Sequence, residues 1–185
     1  MSEPSTDLRV IRTRKLIMDS FMDLSGKKEF KDITIKDITT EAMINRATFY
    51  YHFEDIYDLL EKVLEEVWLL NLNSKDFIQN ELNGETIKDL FLAVTEFQQS
   101  LSNRCHRGYE DIIARIIREQ LEVIFYKLLC KNKPSASKET MKVPATMLSW
   151  GIYGASVEWR RSSKQVSAED FIQSAIPYIL SGINK

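Results

Sequence analysis

Twenty-one residues, Ile33 to Phe53 (ITIKDITTEAMINRATFYYHF), constrain the fold of this chain more than any other stretch. They read as two short helices joined by a tight turn. Thr34 is placed to cap the first helix, with Asp37 three residues on to complement the positive helix end. Ile35, Ile38 and Ala42 give that helix its inward face. Asn45 is placed to cap a second helix from Arg46 to about Tyr51, polar at its start and aromatic at its end. A unit this small cannot bury its own apolar face. Phe21, Leu24, Phe30, Ile38, Phe49 and Phe53 are the residues that can prop it.

The rest of the chain agrees with a helical fold. Only 6 Gly and 4 Pro punctuate 185 residues, and 44% of the residues are hydrophobic. That leaves long stretches without breakers and enough apolar mass for a sizeable core. A first helix is expected over about 7–25, ended at Gly26, with Met1 to Thr6 as a frayed tail. A fourth, capped by Asp55, runs over about 56–70 with Leu59, Leu60, Val63 and Val67 inside. A joint follows near Asn71 to Ser74. Further amphipathic segments cover about 85–102 and 109–130, then a loop at Lys131 to Lys138, then helices over about 142–162 and 168–183. Pro177 is expected to bend the last helix. No strand pattern and no internal repeat is found.

Charge and cysteine content narrow the function. A net charge of −2 means that any nucleic-acid contact comes from a local patch. Cys105 and Cys130 lie 25 residues apart without metal-like spacing, so two free thiols in a reducing cytoplasm are expected. The sequence Cys105-His106-Arg107 reads as a reduced thiol near a helix break. The longest uncharged stretch, Val143 to Val157, is 15 residues and too short to cross a bilayer. There is no paired-carboxylate constellation, no Ser/His/Asp arrangement and no Gly-rich phosphate loop, which argues against an enzyme. No cofactor or metal is called for.

The paired short helices fit a helix-turn-helix, in which the second helix lies in the major groove. The run Thr34-Ile35-Lys36-Asp37-Ile38, then Glu41-Ala42, then Thr48-Phe49-Tyr50-Tyr51-His52-Phe53 and Leu59-Leu60 resembles the TetR family of bacterial transcriptional regulators. Arg12-x-Arg14, Ile17 and Gly26 upstream resemble it too. The resemblance covers about residues 7–64. It implies an all-α fold, with a three-helix head over 1–53, a linking helix over about 55–70 and a regulatory and dimerisation domain over 71–185. It places Lys36, Asn45, Arg46, Ala47 and Thr48 against base edges. It places Thr34, Tyr50, Tyr51 and His52 against phosphates or in support of the reading helix. The chemistry agrees: Arg can bond guanine bidentately, Asn can do so for adenine, and tyrosine hydroxyls are neutral phosphate ligands. Of Tyr50 and Tyr51, one is expected to be partly buried.

The resemblance also implies a homodimer on a palindromic double-stranded DNA operator with two half-sites, most often a repressor released by a small-molecule effector. The last two helices would pair with those of a second copy. Trp150, Gly151, Gly154, Ala155 and Trp159, with Phe171, Ile172 and Ile176, are the expected contacts. Phe91, Phe97, Tyr109, Phe125, Tyr126, Met147 and Trp150 are candidates to line an effector pocket, and equally to form plain core.

Three positions depart from the family. Met43 stands where Gly is usual, so a left-handed turn there would carry strain. Ile56 stands where a phosphate-reaching Lys is common. Residues 54–66 hold six acidic side chains against Lys62 alone. Arg9, Arg12, Arg14 and Lys15 can compensate. These departures are what keeps a rival reading beside the DNA-binding one: a relative that regulates through protein contacts without DNA.

Overall fold

The computed structural model describes residues 7–73, 77, 81–102, 110–134, 137–162 and 166–183. Met1 to Thr6, Asn103 and the segment Cys105-His106-Arg107, with Tyr109, lie outside the described residues. Among those described there are eight α-helices and no strand: α1 Leu8–Ser25, α2 Ile35–Glu41, α3 Arg46–His52, α4 Ile56–Asn73, α5 Gly84–Ser102, α6 Glu110–Asn132, α7 Lys142–Arg161 and α8 Ala168–Ile183. The chain divides into two compact units, and the division falls inside α4, between Glu66 and Val67. We call them the head and the body.

Local chemistry sets the helix ends in the head. Asp7 accepts from the Arg9 amide at the start of α1. Thr34 and Asp37 close a full capping box on α2: the Asp37 amide donates to Thr34 Oγ1, and the Thr34 amide donates to the Asp37 carboxylate. Asn45 Oδ1 accepts from the Thr48 amide at 2.8 Å and opens α3. Asp55 accepts from the Tyr57 and Asp58 amides and opens α4. Gly26 ends α1 with a right-handed φ of −76°, so its conformational freedom is not what stops the helix. A short 3-10 turn, Phe30–Asp32, was not legible in the sequence. It carries Phe30 into edge-on contact with Phe21 at 5.7 Å.

The head core is built from Ile17, Phe21, Leu24, Phe30, Ile38, Phe49, Phe53, Leu59 and Leu60, all buried. The helix-turn-helix is braced on both sides, with α2 packed on α1 and on α3.

In the body, α6 and α7 form the most extensive helix pair, and α8 packs on α7. Trp68 of α4 meets Phe97 of α5 at 4.7 Å, and Phe91 of α5 stacks on Phe171 of α8 at 6.0 Å. Gly84 lets α8 come close: a β-carbon there would lie 2.9 Å from Ile176 Cγ2. The helix α8 continues through Pro177 to Ile183. Among the described residues of the body, two buried polar side-chain atoms, Trp68 Nε1 and Gln98 Oε1, have no hydrogen-bond partner. An unmet buried polar group of this kind costs about 1–3 kcal/mol.

The turn between α2 and α3 carries the strain anticipated for it. Met43 takes φ 51°, the left-handed region, and is 92% exposed, so no packing offsets the cost. A left-handed angle costs a residue with a β-carbon roughly 1–2 kcal/mol, and glycine adopts it freely. Met43→Gly is therefore expected to raise the unfolding free energy by about 1 kcal/mol in urea titrations, the gain being trimmed by glycine's larger unfolded-state entropy. A loss of similar size would show that the Met43 side chain contributes a contact to the fold.

Candidate nucleic-acid interface

The outward face of α3 follows from its inward one. Phe49 and Phe53, four residues apart, are buried in the head core. Their rings lie 5.9 Å apart. Residues on the other side of so short a helix must face solvent. Arg46 and Ala47 are exposed, and so, one turn on, are Tyr50 and Tyr51. The expectation that one tyrosine is partly buried is corrected here: Tyr50 is 55% and Tyr51 73% exposed, because the two phenylalanines occupy the core positions. Lys36 on α2 is also exposed. Among the described residues no ion pair engages Lys36 or Arg46, so both cations are available to an anionic or hydrogen-bonding partner.

Two expected base contacts are partly committed to the fold. Asn45 Oδ1 accepts from both the Thr48 amide and Thr48 Oγ1, the latter at 2.9 Å. Bidentate reading of adenine needs both the oxygen and the nitrogen of the amide. While it caps α3, Asn45 has only its Nδ2 donors to offer, and Thr48, half-buried, has its hydroxyl proton engaged. Thr34 is exposed, but its hydroxyl donates to Asp37 Oδ2 at 2.8 Å. Bonds from the Thr34 amide and hydroxyl, with a further one from Lys28, lower the Asp37 carboxyl to about 2. The capping box is thus anionic at neutral pH.

Arg14 does not project to solvent as a phosphate ligand, as its place in the N-terminal basic cluster had suggested. Its guanidinium lies 4.6 Å over the Phe53 ring, and Nη1 donates to the His52 carbonyl at 3.5 Å. It ties α1 to the end of α3. Arg9, Arg12 and Lys15 remain exposed on α1. His52 is half-buried, with its ring edge-on to Tyr51 at 5.0 Å. Burial, and then the Arg14 charge, hold its imidazole below the ordinary value of 6.5. His52 is therefore neutral at pH 7. Ile56, half-buried, opens α4 beside the exposed Glu54 and Asp55, so this edge of the head repels phosphate.

The body offers a second surface, and here several expected contacts are corrected. Trp159, Ile172 and Ile176 are buried inside the body itself, and Trp159 Nε1 donates to the Val166 carbonyl at 2.9 Å. Phe171 is half-buried against Phe91. Trp159, Ile172 and Ile176 therefore do not form an outer face, and Phe171 is only partly exposed. Trp150, Gly151 and Gly154 are exposed and Ala155 is half-buried. Beta-carbons added at Gly151 and Gly154 would meet nothing within 4 Å. Val143 and Tyr178, which the sequence did not single out, are exposed with Met147 and Trp150. The signal was there: Val143, Met147, Trp150 and Gly154 recur at helical spacing as one stripe of α7. The guanidinium of Arg118 lies 4.0 Å over the Trp150 ring. An open apolar groove of about 400 Å³ runs beside the stripe, lined among others by Leu129, Met147, Gly151, Tyr178 and Ile179.

Of the other candidates, Phe91, Phe97 and Phe125 are buried, whereas Met147 and Trp150 face solvent. Cys130 is a free thiol. Among the described residues no cluster of His, Cys, Asp or Glu can hold a metal ion, and no helix is long and apolar enough to cross a membrane.

Comparison with known proteins places the head. Residues 17–63 match the family model described as bacterial regulatory proteins, tetR family. A 64-residue stretch is 41% identical to the uncharacterized HTH-type transcriptional regulator YxbF of Bacillus subtilis, covering 34% of this chain and 17% of that one. A 75-residue stretch is 37% identical to DhaS of Lactococcus lactis, an HTH-type activator of the dhaKLM operon, covering 39% of this chain and 40% of that one. The matched stretches thus span less than two thirds of these relatives. Two solved structures share the fold across nearly the whole chain. A dihydroxyacetone kinase operon activator, DhaS, aligns with a TM-score of 0.54 at 18% identity over 94% of this chain and 97% of that one. The TetR family repressor AlkX from Dietzia sp. aligns with a TM-score of 0.54 at 15% identity over 91% and 95%.

The contact between Arg14 and His52 is open to test. A depressed folded value means that His52 contributes stability present above about pH 6.5 and lost as pH falls through the folded value. Arg14→Ala is expected to move the His52 NMR titration midpoint up toward 6.5 without reaching it, because burial, the larger cause, remains. An unchanged midpoint would show that Arg14 does not act on His52.

Proposed function

We propose that this chain, whose residues 17–63 match the model of the tetR family of bacterial regulatory proteins, is a DNA-binding transcriptional regulator of that family that works as a homodimer. One observation carries the reading: α3 presents Arg46, Ala47, Tyr50 and Tyr51 to solvent while Phe49 and Phe53 lock its back. Each exposed side chain has a task on a duplex. Arg46, at the helix start, suits guanine O6 and N7 in the major groove. Ala47 permits close approach and suits a thymine methyl. The Tyr50 and Tyr51 hydroxyls and the Lys36 ammonium suit phosphates. Asn45 offers its remaining amide donors to a base or phosphate oxygen. Thr34, Thr48 and His52 hold the reading unit in shape.

A single seven-residue helix reads too few base pairs for useful affinity, so two heads are needed. The exposed stripe Val143, Met147, Trp150 and Gly154 on α7, with Tyr178 on α8, is the surface we assign to the second copy. Gly151 and Gly154 there lower helix propensity by roughly 1 kcal/mol each relative to alanine, a cost that close approach of a partner helix would repay. Repression is the simplest outcome of operator occupancy, and release by a small effector requires a coupling of only about 1–3 kcal/mol. Of the relatives, AlkX is named a repressor and DhaS an activator.

Two variants test this reading. Arg46→Ala is expected to cost about 1–3 kcal/mol on the operator in fluorescence anisotropy and to relax preference at one base position. Unchanged affinity and preference would remove Arg46 from the reading surface. A β-carbon at Gly154 meets nothing within 4 Å, so in Gly154→Glu helicity should persist while sedimentation shows monomer. An intact dimer would place the interface elsewhere.

A further inference from the structure

The turn that joins α2 to α3 is a Schellman motif, and its chemistry singles out Met43. The Ile44 amide donates to the Thr39 carbonyl at 3.0 Å, and the Met43 amide to that of Thr40 at 3.2 Å. These two bonds close the C-terminal end of α2 and require a left-handed residue between Ala42 and Ile44. Glycine takes that angle freely, whereas Met43 holds it at φ 51° under strain. The backbone bonds of the turn make no use of a side chain at this position. Met43 is 92% exposed, the highest value among the described large apolar side chains, while Ala42 is buried and Ile44 half-buried. Strain that the fold itself does not use gathers at functional sites.

Position says what this side chain can reach. Met43 precedes the Asn45 cap by two residues, a span of at most about 7 Å. The N-terminal end of a reading helix is the part that meets base edges, and Asn45, Arg46 and Ala47 are exposed there beside Met43. From Ala42 to Tyr51 the one charged side chain is Arg46, a cation. Glu41, the last residue of α2, is held by Lys27 at 3.5 Å. A thioether has no proton to give a phosphate. Its chain is apolar, unbranched and adaptable. Of the groups that a base pair displays in the major groove, the 5-methyl of thymine is the apolar one. We propose that Met43 is a specificity-determining residue, whose side chain packs on the 5-methyl group of one thymine in each half-site. This rests on the DNA reading above and adds to it a base contact from outside α3. Glycine at this position would relax the turn and leave the methyl uncovered.

Fluorescence anisotropy with the full chain, on an operator that the natural chain selects from a random pool, tests the proposal. Deoxyuridine replaces each thymine in turn, in both half-sites, and so removes only the 5-methyl group. At one thymine position the change is expected to weaken binding by the natural chain about fourfold for each half-site, the effect of one methyl left uncovered. In Met43→Gly and in Met43→Ala that position should become indifferent to the change, and both variants should bind the thymine operator more weakly than the natural chain does. Met43→Ala keeps the β-carbon and the strained angle, so it separates loss of the side chain from the backbone freedom that glycine adds. Met43→Leu should keep the sensitivity. The proposal is overturned if no thymine position loses its sensitivity in the two variants, or if both bind the thymine operator as tightly as the natural chain; a protein partner would then be the reading for this side chain. Arg46→Ala on the same operator separates the two failures: affinity that falls with Arg46 and not with Met43 leaves the DNA reading standing.

Discussion

The burial of Phe49 and Phe53 is the constraint from which the head follows. A helix of seven residues does not hold its own shape in water, because nucleation costs more than so few hydrogen bonds return. Two fully buried aromatic rings contribute roughly 1.5–3 kcal/mol each and fix the helix rotation about its axis. Once those rings point inward, Arg46, Ala47, Tyr50 and Tyr51 have nowhere to go but out. The Asn45 cap fixes where the helix begins, and Arg14, laid over Phe53 and bonded to the His52 carbonyl, fixes where it ends. Presentation of the polar face is thus a consequence of core packing.

Electrostatics then limits how that face can work. The chain as a whole is slightly acidic, and the start of α4 adds Glu54, Asp55 and Asp58 beside an apolar Ile56. The capping box of α2 keeps Asp37 charged. Lys27, Lys28, Lys31 and Lys62 are each paired with a carboxylate, so the unpaired positive charge among the described residues of this face is that of Lys36, Arg46 and the exposed bases of α1. A duplex approaching such a head gains little from nonspecific attraction and depends on correct seating of a few side chains. Weak nonspecific attraction is consistent with the proposed use of two heads.

Much of the head was legible because capping chemistry is local. Thr34 with Asp37, Asn45 and Asp55 each announce a helix start within four residues of sequence, and Ser167 with Asp170 does the same for α8. Long-range facts were not legible. That Asn45 commits its oxygen to Thr48 depends on side-chain rotation within the cap. That both tyrosines face out depends on which neighbours win the core. In the body, α7 and α8 carry apolar residues on more than one face, and period alone cannot say which face is inward. Trp159, Ile172 and Ile176 turned in, while Val143, Met147 and Tyr178 turned out. Which of the candidate lining residues are buried likewise needed coordinates: Phe91, Phe97 and Phe125 are, and Met147 and Trp150 are not.

The central claim, that α3 reads base edges in the major groove from two copies of the chain, is tested most directly by methylation interference at guanine N7. DNA bound by the purified chain is selected from a random pool, methylated lightly at N7 and separated into bound and free fractions. The account predicts that methylation excludes binding at guanines in two symmetric clusters, their centres a whole number of duplex turns apart, about 34–36 Å for one turn. Binding indifferent to N7 methylation, or interference confined to a single cluster, would contradict it.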